Sequence, residues 1–299
     1  MSIGEVEAKE LTLEQPSSLG RDALDRFKHN KAAMAGVVLI VLLIIMAVFA
    51  PLIAPYGPQE QVGPLDNSSP AGPSADHWMG LDEQGRDEFS RVVYGARLSL
   101  LAGLVSVAFG LSFGLVLGAS AGYFGGWVDT VIMRTMDIML SIPALLLAIG
   151  LVTLLGRGLF QIMMAVGITT IPIFARLLRG SILAQRESDY VLAARSLGVP
   201  GRRLLSIHIM PNALAPVIVQ ATLLMATAII DVAGLSFLGL GPADPSFPEW
   251  GKMLADNASR LQQAAHLVIF PGAAVVISVL GLNLIGDGLR ESIDPKLRS

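Results

Sequence analysis

The chain has 299 residues, 53% of them apolar and only 15% charged, with a formal net charge of −3. Ordinary globular chains carry about 25% charged residues, so this composition argues against a soluble protein. The absence of cysteine excludes a disulfide framework and a thiolate metal site, and four scattered histidines form no metal-ligand cluster.

In chain order, residues 1–31 read as a polar tail of mixed charge that lacks the apolar core of a cleavable signal peptide. A bilayer core of about 30 Å takes roughly 20 apolar residues as a helix. Six stretches qualify. Ala32–Ala54 is uncharged. After a loop over 55–96, with Asp82, Glu83, Asp87 and Glu88 close together, Leu98–Val128 is uncharged between Arg97 and Asp129. Val131–Gly156 carries only Arg134 and Asp137, and Gly158–Ala175 is uncharged. Arg157 between two glycines makes these two a tight hairpin. Ala213–Gly241 carries only Asp231, and Leu261–Gly286 is uncharged before a tail over 289–299. Lipid cannot hydrogen-bond exposed backbone, so each run is expected to be a helix and the fold an all-α membrane protein.

Within the spans, Gly110, Gly114, Gly118 and Gly122 fall on one helical face and are expected to let another helix approach closely. Arg134 and Asp137, three residues apart, are expected to pair with each other. Asp231 has no local basic partner; it faces a polar pathway or partner subunit, or is satisfied by backbone or a neighbouring helix. Pro143, Pro172, Pro216 and Pro271 each remove a helix hydrogen bond and can kink their spans.

Lysine and arginine gather on the cytoplasmic side of short loops. With six spans both termini share a side. Placing them in the cytoplasm puts fourteen basic residues there: five in the N-terminal tail (Lys9, Arg21, Arg26, Lys28, Lys31), six in the loop Arg176–Asn212, and Arg290, Lys296 and Arg298. Six lie on the other side.

The loop Arg176–Asn212 has its own pattern. Ser188 or Asp189 can cap a short helix running to Leu197. Gly198 can take the left-handed conformation that ends it, with Pro200 after it. Arg202–Ile209 reads as a second short helix, and Pro211 leads into span five. Ala193 and Ala194 are small enough for a partner surface to come close. A DNA-reading helix–turn–helix fails because the unit is tethered between two spans, so no nucleic-acid partner is expected. The chain has no G-x-x-x-x-G-K-[ST] phosphate loop.

The run D-Y-V-L-A-A-R-S-L-G, nine residues, then H-I-M-P-N resembles the EAA loop of ABC importer permeases. Ala193, Ala194, Gly198 and Pro211 match that pattern, and Leu192 stands where the family has glutamate. Further segments resemble the second permease subunit of the dipeptide/oligopeptide/nickel branch. They are F-K-H-N-K-A at 27–32, H-W-M-G-L-D-E-Q-G-R-D at 77–87, S-R-V-V-Y-G-A-R-L-S-L at 90–100, A-G-Y-F-G-G-W-V-D at 121–129, L-S-F-L-G-L-G at 235–241, P-E-W-G at 248–251 and N-L-I-G-D-G-L-R-E-S-I-D-P-K-L at 283–297.

The resemblance implies the type I (MetI-like) ABC importer fold with a permease domain over 97–288, in a bacterial inner membrane. It implies a homologous second permease subunit, two cytoplasmic ATPase subunits that bind ATP and Mg, and an extracytoplasmic binding protein. This chain would hold no cofactor and do no covalent chemistry. Tyr190, Ala193, Ala194, Arg195, Gly198, Arg202, His208 and Pro211 would carry the ATPase coupling. The segments at 77–91 and 242–260 would dock the binding protein, unless Trp250 is simply an interfacial anchor. Di- or oligopeptides are the expected cargo, with nickel chelates or glutathione as alternatives. An ion-coupled secondary transporter would need inverted repeats, which are not seen.

Overall fold

The computed structural model describes residues 19–65, 70–244 and 246–293. Lys9, Lys296, Arg298 and the side chain of Arg21, all counted in the charge asymmetry, lie outside that description. Ten principal helices are described: α1 (Leu19–His29), α2 (Lys31–Val48), α3 (Glu88–Phe124), α4 (Gly126–Leu140), α5 (Ala144–Leu155), α6 (Leu159–Arg186), α7 (Asp189–Ser196), α8 (Ala215–Leu235), α9 (Trp250–Asn257) and α10 (His266–Ile293). Among the described residues the only β pairing is two isolated bridges, Gln61 with Arg86 and Leu81 with Asp87.

Among these residues α2, α3, α6, α10 and α8 with the turn that follows it are long and apolar enough to cross a bilayer. The expected third span is different. It is the pair α4–α5, bent by 93°. Pro143 sits at the break: its ring disfavours helical backbone angles at the preceding residue, and α5 restarts directly after it. The other three prolines break nothing. Pro172 and Pro271 lie inside the unbroken 28-residue helices α6 and α10. Pro216 sits in the first turn of α8, where its missing N–H is not needed.

Asp87 caps α3 by accepting from the Ser90 amide at 2.8 Å and the Ser90 hydroxyl at 2.7 Å. At 37 residues α3 runs about 55 Å, beyond the bilayer core, so its first turns precede the apolar run that starts after Arg97. Its glycine face packs on α6. A Cβ on Gly110 would lie 2.6 Å from the Gly167 carbonyl oxygen, and one on Gly118 would lie 2.5 Å from that of Ala175. Gly114 meets Phe174, and Gly122 meets Ile182. The expected pair Arg134–Asp137 does not form. Asp137 binds Arg176 of α6, and Arg134 is exposed with no salt bridge among the described residues. A neighbouring helix offers Asp137 a cation already at its height, and Arg134 reaches out instead.

Span four also runs further than expected, to Arg186 rather than Ala175. Its arginines are held by the adjacent helices: Arg176 by Asp137, Arg179 by Asp129, and Arg186 donates to the Gly122 carbonyl at 3.0 Å. The main apolar core joins Ala102 and Val107 of α3, Val152 of α5, Phe174 and Leu178 of α6 and Val217 of α8. A second cluster gathers Leu43 of α2, Val92 of α3, Trp250 of α9 and Ala274 of α10.

Candidate functional site

The arginine-rich end is built around α7, eight residues between α6 and the approach to α8. Ser188 stands at its N-cap, but its hydroxyl donates back to the Gln185 carbonyl and caps nothing. Gly198 ends the helix at φ +78°. The Val199 amide donates to the Ala194 carbonyl at 3.2 Å and the Gly198 amide to that of Arg195 at 3.0 Å. This crossed pair is the Schellman closure, in which glycine supplies the left-handed step. Val199 packs on the main core beside Ala194.

One side of α7 is anchored. Val191 is fully buried in the core that holds α6 and α8 together. The other side is open: Ala193, Arg195 and Gly198 are exposed, Leu192 is 41% exposed and Leu197 is 85% exposed. Positions 192, 193, 196 and 197 share a helical face, so the leucine in place of the glutamate makes that face apolar.

Beyond Pro200 the expected second short helix is present, and it is not a single regular α-helix. Short helical pieces, Gly201–Arg203, Leu204–Ile209 and Met210–Ala213, run on into α8. The middle piece is a wide π-type turn, with the Met210 amide donating to the Leu205 carbonyl. Pro211 lacks an N–H, so the ordinary ladder cannot close there, and the wider turn carries the helix past it.

Tyr190 ties these pieces together. Its hydroxyl lies 2.6 Å from Gln185 Oε1 and 3.2 Å from the His208 carbonyl, either of which can take its proton. Asn212 Nδ2 donates to the Tyr190 oxygen and to the His208 carbonyl, both at 3.1 Å. The end of α6, the start of α7 and the root of α8 thus meet in one polar knot. His208 enters it through its backbone, not its ring. Arg195 lines a cavity of about 180 Å³ with Tyr123, Ile182, Arg186, Val199 and Leu204. Arg202 and Pro211 are exposed and stand apart from the knot. Gln185, Asn212, Val191 and Leu197 were not singled out in the sequence. The first two gave no local signal, because their partners come from other segments. Asp231 is half-buried in α8, with no hydrogen bond or salt bridge among the described residues.

At the opposite end, Trp250 is not an interfacial anchor. It is fully buried, and its Nε1 donates to the Val92 carbonyl at 3.0 Å. Glu249 caps α9 by accepting from the Gly251 and Lys252 amides at 2.9 Å. Burial pushes the Glu249 carboxyl above its ordinary range, against those same amide bonds, which hold it down. Asp82 binds Arg86 at 2.6 Å and Arg91 at 3.5 Å, and Glu83 binds Arg260 at 2.9 Å. His77 Nδ1 lies 3.0 Å from Asp87. These pairs fasten the 56–88 loop to the start of α3 and to the segment after α9.

Residues 114–299 match the family model described as binding-protein-dependent transport system inner membrane component. Residues 18–70 match the N-terminal transmembrane domain of oligopeptide transport permease C. The dipeptide transport system permease protein of Alkalihalophilus pseudofirmus is 47% identical, over 93% of this chain and 90% of that one. The di/tripeptide transport system permease protein of Pseudomonas aeruginosa is 43% identical, over 98% and 97%. The glutathione transport system permease protein of Pectobacterium atrosepticum is 42% identical, over 93% and 92%. Among solved structures, an amino acid ABC transporter crystallised with histidines shares the fold, with a TM-score of 0.53 at 16% identity, over 67% of this chain and 92% of that one.

Proposed function

The chain belongs to the family of binding-protein-dependent transport system inner membrane components, and on that premise we propose that it is one of two permease subunits of an ATP-driven importer of di- and oligopeptides. It sits in a bacterial cytoplasmic membrane with both termini and the 176–212 loop in the cytoplasm. Two ATPase subunits bind ATP and Mg; an extracytoplasmic binding protein delivers cargo; this chain supplies half of the pathway and no covalent chemistry. The apolar face of α7, Leu192, Ala193 and Leu197, is the surface that an ATPase groove takes up.

The observation that carries this reading is the anchoring of α7. Val191 lies in the core shared by α6 and α8, and Tyr190 is knotted to both. A push on the exposed face of α7 therefore cannot be absorbed locally. It passes to two spans at once, α6 and α8. Glutathione is the second reading, favoured by the glutathione permeases among the relatives.

The test is uptake into proteoliposomes carrying this chain with its co-expressed permease and ATPase partners and the binding protein. Labelled dipeptide and glutathione compete for uptake. Gly198→Val or Ala194→Asp should abolish uptake and uncouple ATP hydrolysis from cargo while membrane insertion stays intact. Normal uptake by both variants refutes the coupling role.

A further inference from the structure

The span α8 has two unlike sides. One is buried: Val217, Leu224, Ala228, Val232 and Leu235 join the main core, and Ala226 and Ile229 cluster with Leu282 of α10. The other carries an amide, a hydroxyl and a carboxylate. Gln220, Thr227, Asp231 and Gly234 follow one another at steps of seven, four and three, which puts them on one helical face. Thr227 is exposed and the other three are half-buried. A Cβ on Gly234 would meet nothing within 4 Å. Thr227 donates only to the Leu223 carbonyl of its own helix, at 3.4 Å. The side chains of Gln220 and Asp231 have no hydrogen bond or salt bridge among the described residues. The Asp231 oxygens are also absent from the fully enclosed polar atoms that lack a partner, so they keep surface that a ligand can reach.

Such a face is costly against lipid, and polar groups at membrane depth look instead on a bundle interior or a water-filled cavity. The span α2 shows the contrast, since its exposed positions Val38, Val41, Leu42, Ile45 and Val48 are all apolar. At the end of the α8 face nearer α7 lies a cavity of about 470 Å³, lined by Leu177 of α6, Gln220 and Leu223 of α8, and Arg290 and Ile293 of α10. Its volume is within the roughly 300–1,000 Å³ of small-molecule sites. Arg290 is exposed and has no salt bridge among the described residues. Asp231 stands about 16 Å further along the helix, roughly half the thickness of a bilayer core. A short peptide carries an ammonium, a carboxylate and amides. Moving along this face it would meet a partner for each in turn: Asp231 for the ammonium, Thr227 and Gln220 for the amides, Arg290 for the carboxylate.

We propose that this face of α8 is the wall of the cargo path supplied by this chain, with Asp231 the contact for the α-ammonium of a peptide in passage. This rests on the peptide-import reading above. It adds to that reading a selection for a free amino terminus, made on the permease itself.

The test exploits the absence of cysteine from this chain. Gln220→Cys, Thr227→Cys and, as a control, Leu42→Cys are made singly; Leu42 is 57% exposed on an apolar stretch of α2. The assembled permease–ATPase complex in nanodiscs is treated with a charged, membrane-impermeant methanethiosulfonate, without nucleotide and with ATP, and labelling of this chain is read by mass. Gln220→Cys and Thr227→Cys should label far faster than Leu42→Cys. Labelling of Thr227→Cys no faster than that of Leu42→Cys in both states overturns the path, because lipid or the second permease subunit then covers the face. Alanyl-alanine should slow labelling of Thr227→Cys, and its N-acetylated form should need a concentration about tenfold higher or more, the scale of a lost charge-assisted hydrogen bond. Adding Asp231→Asn should cost alanyl-alanine the same factor, and Asp231→Glu should restore its protection. Protection unchanged by Asp231→Asn overturns the contact. Should that variant fail to assemble, equal protection of Thr227→Cys by the free and acetylated peptides overturns it equally. Uptake of alanyl-alanine by the wild type in complete proteoliposomes is measured beside these. Its absence sinks the peptide reading and the contact with it, whereas normal uptake with Thr227→Cys unlabelled sinks the path along α8 alone.

Discussion

The approach of α3 to α6 is the feature most open to direct challenge. A Cβ on Gly118 would lie 2.5 Å from the Ala175 carbonyl oxygen and 3.0 Å from the Ala175 Cα. Both are backbone atoms, which cannot rotate away. An ordinary van der Waals contact would require the helices to part by roughly 1 Å, and close packing resists that. Overpacking of this kind costs about 1–3 kcal/mol. Gly→Ala in a helix returns about 1 kcal/mol through propensity, so Gly118→Ala should be net destabilising by up to about 2 kcal/mol. Gly180 provides the internal control. It lies in α6 with nothing within 4 Å of a built Cβ, so Gly180→Ala should gain that propensity and lose nothing. The assay is thermal unfolding of the purified chain in detergent, followed by the loss of helical circular dichroism. The two variants should move in opposite directions from the wild type. If Gly118→Ala is at least as stable as Gly180→Ala, the two backbones are not in contact and the packing argument fails.

Other perturbations give equally definite outcomes. Trp250→Phe keeps most of the apolar volume but removes the indole N–H that the Val92 carbonyl accepts beside its own helix bond, a loss of about 0.5–1.5 kcal/mol, read in the same unfolding assay. Glu249→Ala removes the cap of α9 and should cost about 0.5–2 kcal/mol, with limited proteolysis showing faster cleavage confined to the 242–265 segment. Tyr190→Phe removes one partly exposed hydroxyl from the knot. It should lower stability by no more than about 1.5 kcal/mol yet reduce transport per ATP hydrolysed in the reconstituted complex.

The sequence carried the spans because charge is costly in lipid, and uncharged runs of that length leave few alternatives. It carried the turn at Gly198 because only glycine takes a left-handed step freely. It did not carry the pairing of Asp137, since proximity along one helix says nothing about a cation delivered by another. Nor could it separate the four prolines. Each has the same ring, and only at Pro143 is the helix broken, while α6 and α10 continue through Pro172 and Pro271. Trp250 had the composition of an interfacial residue. Its burial follows from Val92 and Ser99 of α3, far away in the chain, which receive its indole and supply its backbone amide with a partner at 3.0 and 3.2 Å.

The arginines of the 176–212 loop show how one sequence signal covers two physical jobs. As a group they give the loop its charge and set the expected orientation. Individually they divide. Arg176, Arg179 and Arg186 bind Asp137, Asp129 and the Gly122 carbonyl, fastening α6 to α3 and α4. Arg195, Arg202 and Arg203 are exposed and make no salt bridge among the described residues. The first three stiffen the frame from which α7 hangs; the last three, on α7 and the helical piece after it, stay exposed. On the proposed coupling role, a lever needs both, a rigid mounting and an open contact. The loop places them in that order along the chain, with the bonded arginines on the helix that leaves the membrane and the unbonded ones from α7 onward. Charge reversal should separate the roles. Arg179→Glu sets a like charge against Asp129 and should loosen the α3–α4–α6 frame, lowering the unfolding temperature of the isolated chain. Arg202→Glu should leave that temperature unchanged and act only when the ATPase partners are present, weakening their co-purification with the permease. Equal loss of stability in both variants would show that the two groups of arginines are not distinct.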